Sequence, residues 1–348
     1  MRRTRTQRVL LATVIAFFLF SVLVPLPYVL MSPGPATNTL GSDHNVPLIT
    51  ISGHQTFPTN GELDMTTVSV SRPDSTLRAP LLLQAWLRSD TQIVPRDSIY
   101  PPDQNTSAIN AQNAEEMKGS QENATTAALR YLGYHLSSEV VIQAIAQGSP
   151  SLGILHAGDI IKKVQKVDTV NTKQLRAQLA KFKAGDVLTL VVDRANTLLT
   201  LSVKSGRSPS GGALLGIFPV DQFSYPFSVS IQLKNVGGPS AGMMFALGII
   251  DKLTPESLAR KRIIAGTGTI DIQGNVGAIG GINDKILGAY RHGAKLFLAP
   301  MANCKEVNSV PKGMKVVGVK TLKAAVTVLQ SASVAANAST SCGTKSAP

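Results

Sequence analysis

The chain has 348 residues, 43% of them hydrophobic and 16% charged, which is too apolar for a disordered polymer and long enough for about two domains. Its formal net charge is +13, but Arg2, Arg3, Arg5 and Arg8 crowd into the basic tail 1–8, the rest is diffuse, and only 5% of residues are aromatic. No nucleic-acid partner is expected from that pattern, and two cysteines without a Cys/His cluster of zinc spacing argue against a disulfide-dense scaffold, a metal or a cofactor.

Residues 9–31, VLLATVIAFFLFSVLVPLPYVLM, carry no charge. A helix of that length would run ~34 Å, enough to cross ~30 Å of hydrocarbon. Lys and Arg are then absent until Arg72, so the charge asymmetry predicts a single-pass cell-membrane anchor with a cytoplasmic N-terminus and an extracytoplasmic body. The alternative is a signal peptide cleaved near Gly34 or Ala36, beyond Pro25 and Pro27. Export of the body follows from both.

Residues 33–130 read as an extracytoplasmic region of short strands, with LITISG at 48–53, PTNGELD at 58–64 and TTVSV at 66–70. LLLQAWLRS at 81–89 reads as a short helix and VPRDSIYPPDQN at 94–105 as a loop. Helical spacing over 111–132 makes Ala114, Met117, Ala124, Ala127, Ala128 and Leu129 the expected buried positions of a linking helix.

From Val140 the order is a strand, a Gly/Ser/Pro turn, a small element before Gly158-Asp159, a second strand, a helix over about 171–182 and a closing hairpin. SPSLGILHAGDII followed by AGDVLTLVVDR resembles a PDZ domain of the bacterial protease type, over about residues 131–206. That resemblance implies binding of an extended peptide as an added strand. The usual Gly-Leu-Gly-Phe carboxylate loop is not legible; Leu132-Gly133-Tyr134 is its nearest trace. GRSPSGG at 206–212 reads as a linker, followed by strands at 213–218 and 226–233, a strand pair around RIIAGTGTIDIQG, a helix at 282–292, and the segments AKLFLAP and GMKVVGV. The tail, residues 331–348, is small and low in complexity, so disorder is expected.

Gly238-Pro239-Ser240-Ala241-Gly242 opens an apolar helix of Met243, Met244, Phe245, Ala246, Leu247, Ile249 and Ile250. Ser240 there is either an N-cap or a nucleophile beside helix-end amides able to stabilise an oxyanion. In a helix from Ile282, Lys285 falls beside the apolar stripe of Ile282, Ile286 and Ala289. Burial there would lower its pKa and make it a neutral general base, whereas snorkelling would keep it an ordinary ammonium.

Taken together, the Val236-Gly-Gly-Pro-Ser-Ala-Gly run, TGTIDIQGNVGAIGG, and Asn283-Asp284-Lys285 with GAYRHGAKLFLAP resemble the proteolytic domain of Lon-type serine-lysine peptidases, over about residues 210–325. The resemblance implies catalysis by Ser240 as nucleophile and Lys285 as base, with Thr267 orienting the lysine amine, in a homo-oligomeric ring. The amides of Ser240 and Gly238 are the candidate oxyanion donors; Pro239 has none. ATP-dependent members carry an acidic residue where this chain has Gly237. No G-x-x-x-x-G-K-[ST] loop occurs in the sequence, so an ATP-independent enzyme acting on unfolded or flexible protein segments is expected. With SPGPATNTLG, LITISGHQTFPTNGELDMTTVSV and VPRDSIYPP, the whole layout resembles the membrane-anchored PDZ-Lon peptidases of Gram-positive bacteria, the YlbL type. The expected fold is α+β: an N-terminal transmembrane helix, a PDZ-like β-rich domain and a Lon-type proteolytic α/β domain.

Two rival readings remain at this level. The GxSxG string is also the nucleophile elbow of α/β-hydrolases, whose triad here would take His292 with Asp251, Asp271 or Asp284. A tethered PDZ adaptor with an inactive peptidase fold would bind peptides without cleaving them. His44, His54, His135 and His156 are scattered without ligand spacing, and Cys304 and Cys342 could pair outside the cell.

Overall fold

The computed structural model describes residues 5–43, 45–88, 90–209, 211–233, 236–331 and 341–342. The first four residues of the basic tail, His44 and most of the 331–348 tail lie outside that set. In chain order, helix α1 (Arg5–Leu23) is followed by strands β1 (Tyr28–Asn38), β2 (Ile49–Ser52) and β3 (Glu62–Val70), helix α2 (Ala79–Trp86), strand β4 (Gln92–Pro95) and helix α3 (Thr106–Tyr131). Next come β5 (Ser137–Ile145), β6 (Ile160–Val164), α4 (Thr172–Leu179), β7 (Val187–Arg194), β8 (Thr197–Lys204) and β9 (Ile217–Ser224). The remainder holds β10 (Ser228–Ile231), α5 (Gly242–Leu253), β11 (Ile263–Gly266), α6 (Ile282–Arg291), β12 (Leu296–Pro300), β13 (Lys315–Val319) and α7 (Leu322–Gln330). Two compact units result: Met1–Gly133 with Ser228–Pro348, and Tyr134–Phe227.

The uncharged run 9–31 is not one helix. α1 stops at Leu23, two prolines follow at 25 and 27, and Tyr28–Met31 already pair with β4. A proline has no N–H to continue a helix and its ring clashes with the preceding turn. No helix among the described residues is long and apolar enough to cross a membrane.

The first unit is built on a sheet with strand order β13-β12-β11-β3-β1-β4. β13, β12, β11 and β3 run parallel, while β1 pairs antiparallel with β3 and β4. Residues 33–130 are therefore not a region apart from 210–325, as the sequence suggested. β11 is a short, largely buried strand whose backbone groups need partners on both sides, and β3 supplies one side, with Leu63 opposite Ile264 and Met65 opposite Gly266. β2 likewise pairs with β10.

α5 is buried nearly throughout and packs against α3, β3 and α7. Helix α3 is longer than its predicted span and is not a mere linker. Its Asn105 cap accepts from the Ala108 amide, and Met117, Ser120, Ala124, Ala127 and Ala128 are buried, the alanines letting α5 approach closely. Ala114, expected inside, is exposed. Cys304 and Cys342 form a disulfide, and the Cys342 amide donates to Val316 O at 3.0 Å, so the described end of the tail is held along β13.

In the second unit, antiparallel pairing gives the order β8-β7-β6-β5-β9. β7 alternates, burying Leu188, Leu190 and Val192 with Val140, Ile142, Ile161 and Leu175 of α4. Asp159 of the Gly158-Asp159 turn is buried and takes a two-pronged bond from Arg194, Nε to Oδ1 and Nη2 to Oδ2, each 2.8 Å. The expected linker and the strand after it belong to this unit: Gly206–Arg207 pairs with Ala213–Leu214, and β9 pairs with β5. β9 alternates half-buried and exposed residues, as a strand covering one edge of the sheet should.

Candidate active site

The Gly-Pro-Ser-Ala-Gly run makes a tight turn into α5. Gly238 has φ +83°, a conformation open to glycine, and the helix begins after Ala241 without a side-chain cap. Ser240 is thus not an N-cap. Its carbonyl accepts from the Gly268 amide at 2.8 Å and the Thr267 hydroxyl at 3.0 Å, while the Gly268 carbonyl accepts from the Met243 amide at 3.0 Å. These bonds lock the serine turn to the end of β11.

Lys285 arrives from α6. Gly281 caps that helix at φ +70°, and a Cβ there would stand 2.6 Å from Val68 Cγ2, so glycine is required on both counts. One turn in, Lys285 is 4% exposed, with Nζ 2.8 Å from Ser240 Oγ and 3.1 Å from Thr267 Oγ1. Burial lowers its pKa from 10.5 to about 8. Snorkelling is overturned: the amine points inward, to two hydroxyls.

The residues of the histidine triad do not meet. His292, one residue beyond α6, lies ~10 Å along the helix axis from Lys285. Its ring is beside Glu62 and Asp64. Asp251 accepts from the Leu258 amide and Ser257, Asp271 from the amides of Gln273 and Asn275, and Asp284 from Gln92.

Of the candidate oxyanion donors, the Ser240 amide lies in the turn entering α5, whereas the Gly238 amide donates to Asn113 O at 3.3 Å. Asn113 also explains the missing acid: a Cβ on Gly237 would stand 2.8 Å from Asn113 Cβ. Ser240 and Lys285 open into a cleft of about 590 Å³ whose other walls include Thr66, Val70, Tyr100, Asn113 and Met117. None of these five was identified as a site residue from sequence. The only signal was the alternation of TTVSV, whose strand outruns its partner β11 and leaves Thr66–Val70 beside the cleft.

Residues 234–335 match the Lon protease (S16) C-terminal proteolytic domain, and residues 115–205 match a PDZ domain. The chain carries a Lon-type serine endopeptidase domain and a PDZ domain. Lon protease 2 of Herpetosiphon aurantiacus is 44% identical over 78 residues, covering 22% of this chain and 9% of its own length. Lon protease 1 of Bacillus subtilis is 33% identical over 195 residues, covering 45% of this chain and 25% of its own. The match thus spans a quarter or less of those relatives. A solved PDZ domain, from the SdrC-like protein Lin2157 of Listeria innocua, is 23% identical, covering 23% of this chain and 92% of its own, with a TM-score of 0.22.

Proposed function

We propose that the protein is an ATP-independent, membrane-anchored extracytoplasmic endopeptidase that cleaves unfolded or flexible protein segments with a Ser240–Lys285 dyad. The observation that carries this is the buried lysine amine 2.8 Å from the serine hydroxyl, inside a Lon-type domain. Neutral Lys285 takes the Ser240 proton as Oγ attacks the scissile carbonyl. The Ser240 amide and the N-terminal dipole of α5 stabilise the oxyanion. The protonated lysine then gives its proton to the leaving amine, and a water molecule repeats the sequence on the acyl-enzyme. Thr267 accepts from the lysine amine while its own hydroxyl is committed to Ser240 O, which orients the base.

The PDZ domain binds substrate or regulatory peptides, and the protein works as a homo-oligomeric ring. Support for the membrane location is the arginine-flanked apolar run, together with α2. That helix packs on α1 and exposes Leu81, Leu83 and Trp86. The Cys304–Cys342 disulfide suits an oxidising compartment.

The test uses the full chain in detergent, with an unstructured protein as substrate and no ATP. Cleavage by the parent and none by Ser240→Ala or Lys285→Ala supports the dyad. Cleavage surviving in Lys285→Ala rejects it, and peptide binding without cleavage by the parent favours the adaptor. Resistance to carbonate extraction, with the body open to added protease only from outside intact cells, tests the location.

A further inference from the structure

At the far end of α6 from Ser240, three side chains converge that the peptidase mechanism does not use. Glu62 and Asp64 are two apart on β3 and so share one face of the strand, which α6 covers. His292 caps the C-terminus of α6, its amide donating to Gly288 O at 3.1 Å, and its Nε2 lies 3.4 Å from Glu62 Oε2 and 3.6 Å from Asp64 Oδ2. One donor atom from each of the three lies within 4.8 Å of the others.

Asp64 is the decisive member. It is 0% exposed, and neither carboxylate oxygen has a hydrogen-bond donor. The other buried acids are served: Asp159 by Arg194, Asp284 by Gln92, and Asp251 by an amide and a hydroxyl. A carboxylate stripped of water and of donors is costly unless something else compensates it. Its close polar neighbours among the described residues are the Glu62 carboxylate and an imidazole nitrogen, itself a metal ligand when neutral.

We propose that Glu62, Asp64 and His292 form a Zn²⁺ site, with solvent as the fourth ligand. Zinc takes carboxylate oxygen and imidazole nitrogen at ~2.0–2.2 Å, and a tetrahedron of that size sets its donors ~3.4 Å apart. The His292–Glu62 and His292–Asp64 separations of 3.4 and 3.6 Å already match it. Imidazole disfavours Mg²⁺ and Ca²⁺, which select oxygen. The Glu62 and His292 side chains are 36% and 43% exposed, which leaves an entry path and room for the water.

The ion would tie the end of the helix that carries Lys285 to the strand that carries Thr66 into the cleft. It would act as a clamp that positions the base, and not as a catalytic metal. The sequence hid the site because its ligands come from β3 and the end of α6, segments far apart in the chain.

The test is Zn²⁺ titration of the full chain after EDTA treatment and dialysis, read by calorimetry and thermal melting. The background is Ser240→Ala, which removes self-cleavage. One Zn²⁺ per chain is expected, with Tm raised by roughly 5–10 °C at 100 times Kd. His292→Gln and Asp64→Asn should each weaken binding at least tenfold. Co²⁺ should give visible bands of a tetrahedral ion that are lost in His292→Gln. His292 is half-exposed, so its variant keeps the test open if Asp64→Asn fails to fold. Stoichiometric Zn²⁺ binding of equal affinity in parent and His292→Gln overturns the proposal, as does the absence of any Zn²⁺-dependent Tm shift in the parent. These readouts do not use activity, so they stand or fall separately from the peptidase reading.

Discussion

Lys285 Nζ stands 2.8 Å from Ser240 Oγ, on a helix that shares no local sequence with the serine turn. With the amine pKa lowered to about 8, the reactive neutral form grows as pH rises through that value. Peptidase activity is expected to climb across pH 7–9 with an apparent pKa of about 8 and then level off. A kcat/KM profile on an unstructured substrate checks this. A rise centred near pH 6.5, the range of an unperturbed histidine, would contradict it.

The same burial has a stability consequence. The folded pKa of about 8 lies below the ordinary 10.5, so between those values the unfolded chain binds more protons and stability rises with pH. Below about pH 8 the full cost of the buried ammonium applies, about 3 kcal/mol. It is relieved as pH approaches 10.5. Urea unfolding at pH 7 and pH 10 should show Lys285→Met gaining on the parent at pH 7 and losing that advantage at pH 10. A pH-independent difference would reject this account.

Thr267 is fully buried and touches both the lysine amine and the serine carbonyl. Thr267→Val keeps the shape and removes both bonds, so kcat should fall by about 10–100-fold with KM nearly unchanged, the pattern of a positioning loss. Thr267→Ser restores the hydroxyl and should recover most of the rate. Equal losses in both variants would reduce Thr267 to packing.

The site was legible in sequence where it is local. Ser240 opens an apolar helix, Lys285 sits beside an apolar stripe, and Thr267 came with the resembled motif. What was not legible depends on distant pairing. The walls given by Thr66, Val70 and Asn113 come from a segment that reads as a separate region, because nothing local says that β3 will lie beside β11. The strand expected at 213–218 differs similarly: β9 runs Ile217–Ser224, its pattern fits any half-covered strand, and only its register on β5 places it in the second unit. Pro25 and Pro27 mark where the N-terminal helix yields to β1, a signal that hydrophobicity alone overrode.

Gly237 tests whether the missing acid could be restored. A Cβ at this position would lie 2.8 Å from Asn113 Cβ, a separation at which something must shift, and the neighbour belongs to α3, which is packed on α5. Overpacking of this kind costs about 1–3 kcal/mol. Gly237→Asp should therefore lower Tm and reduce activity, since Asn113 O is also the acceptor for the Gly238 amide in the same turn. Asn113→Gly removes the clashing carbon while keeping that carbonyl, so the double variant should recover stability relative to Gly237→Asp alone. A double-mutant cycle measured by thermal melting reads the coupling directly. Additive effects would mean that the turn moves away from α3, and that the close approach is not what excludes a side chain at Gly237.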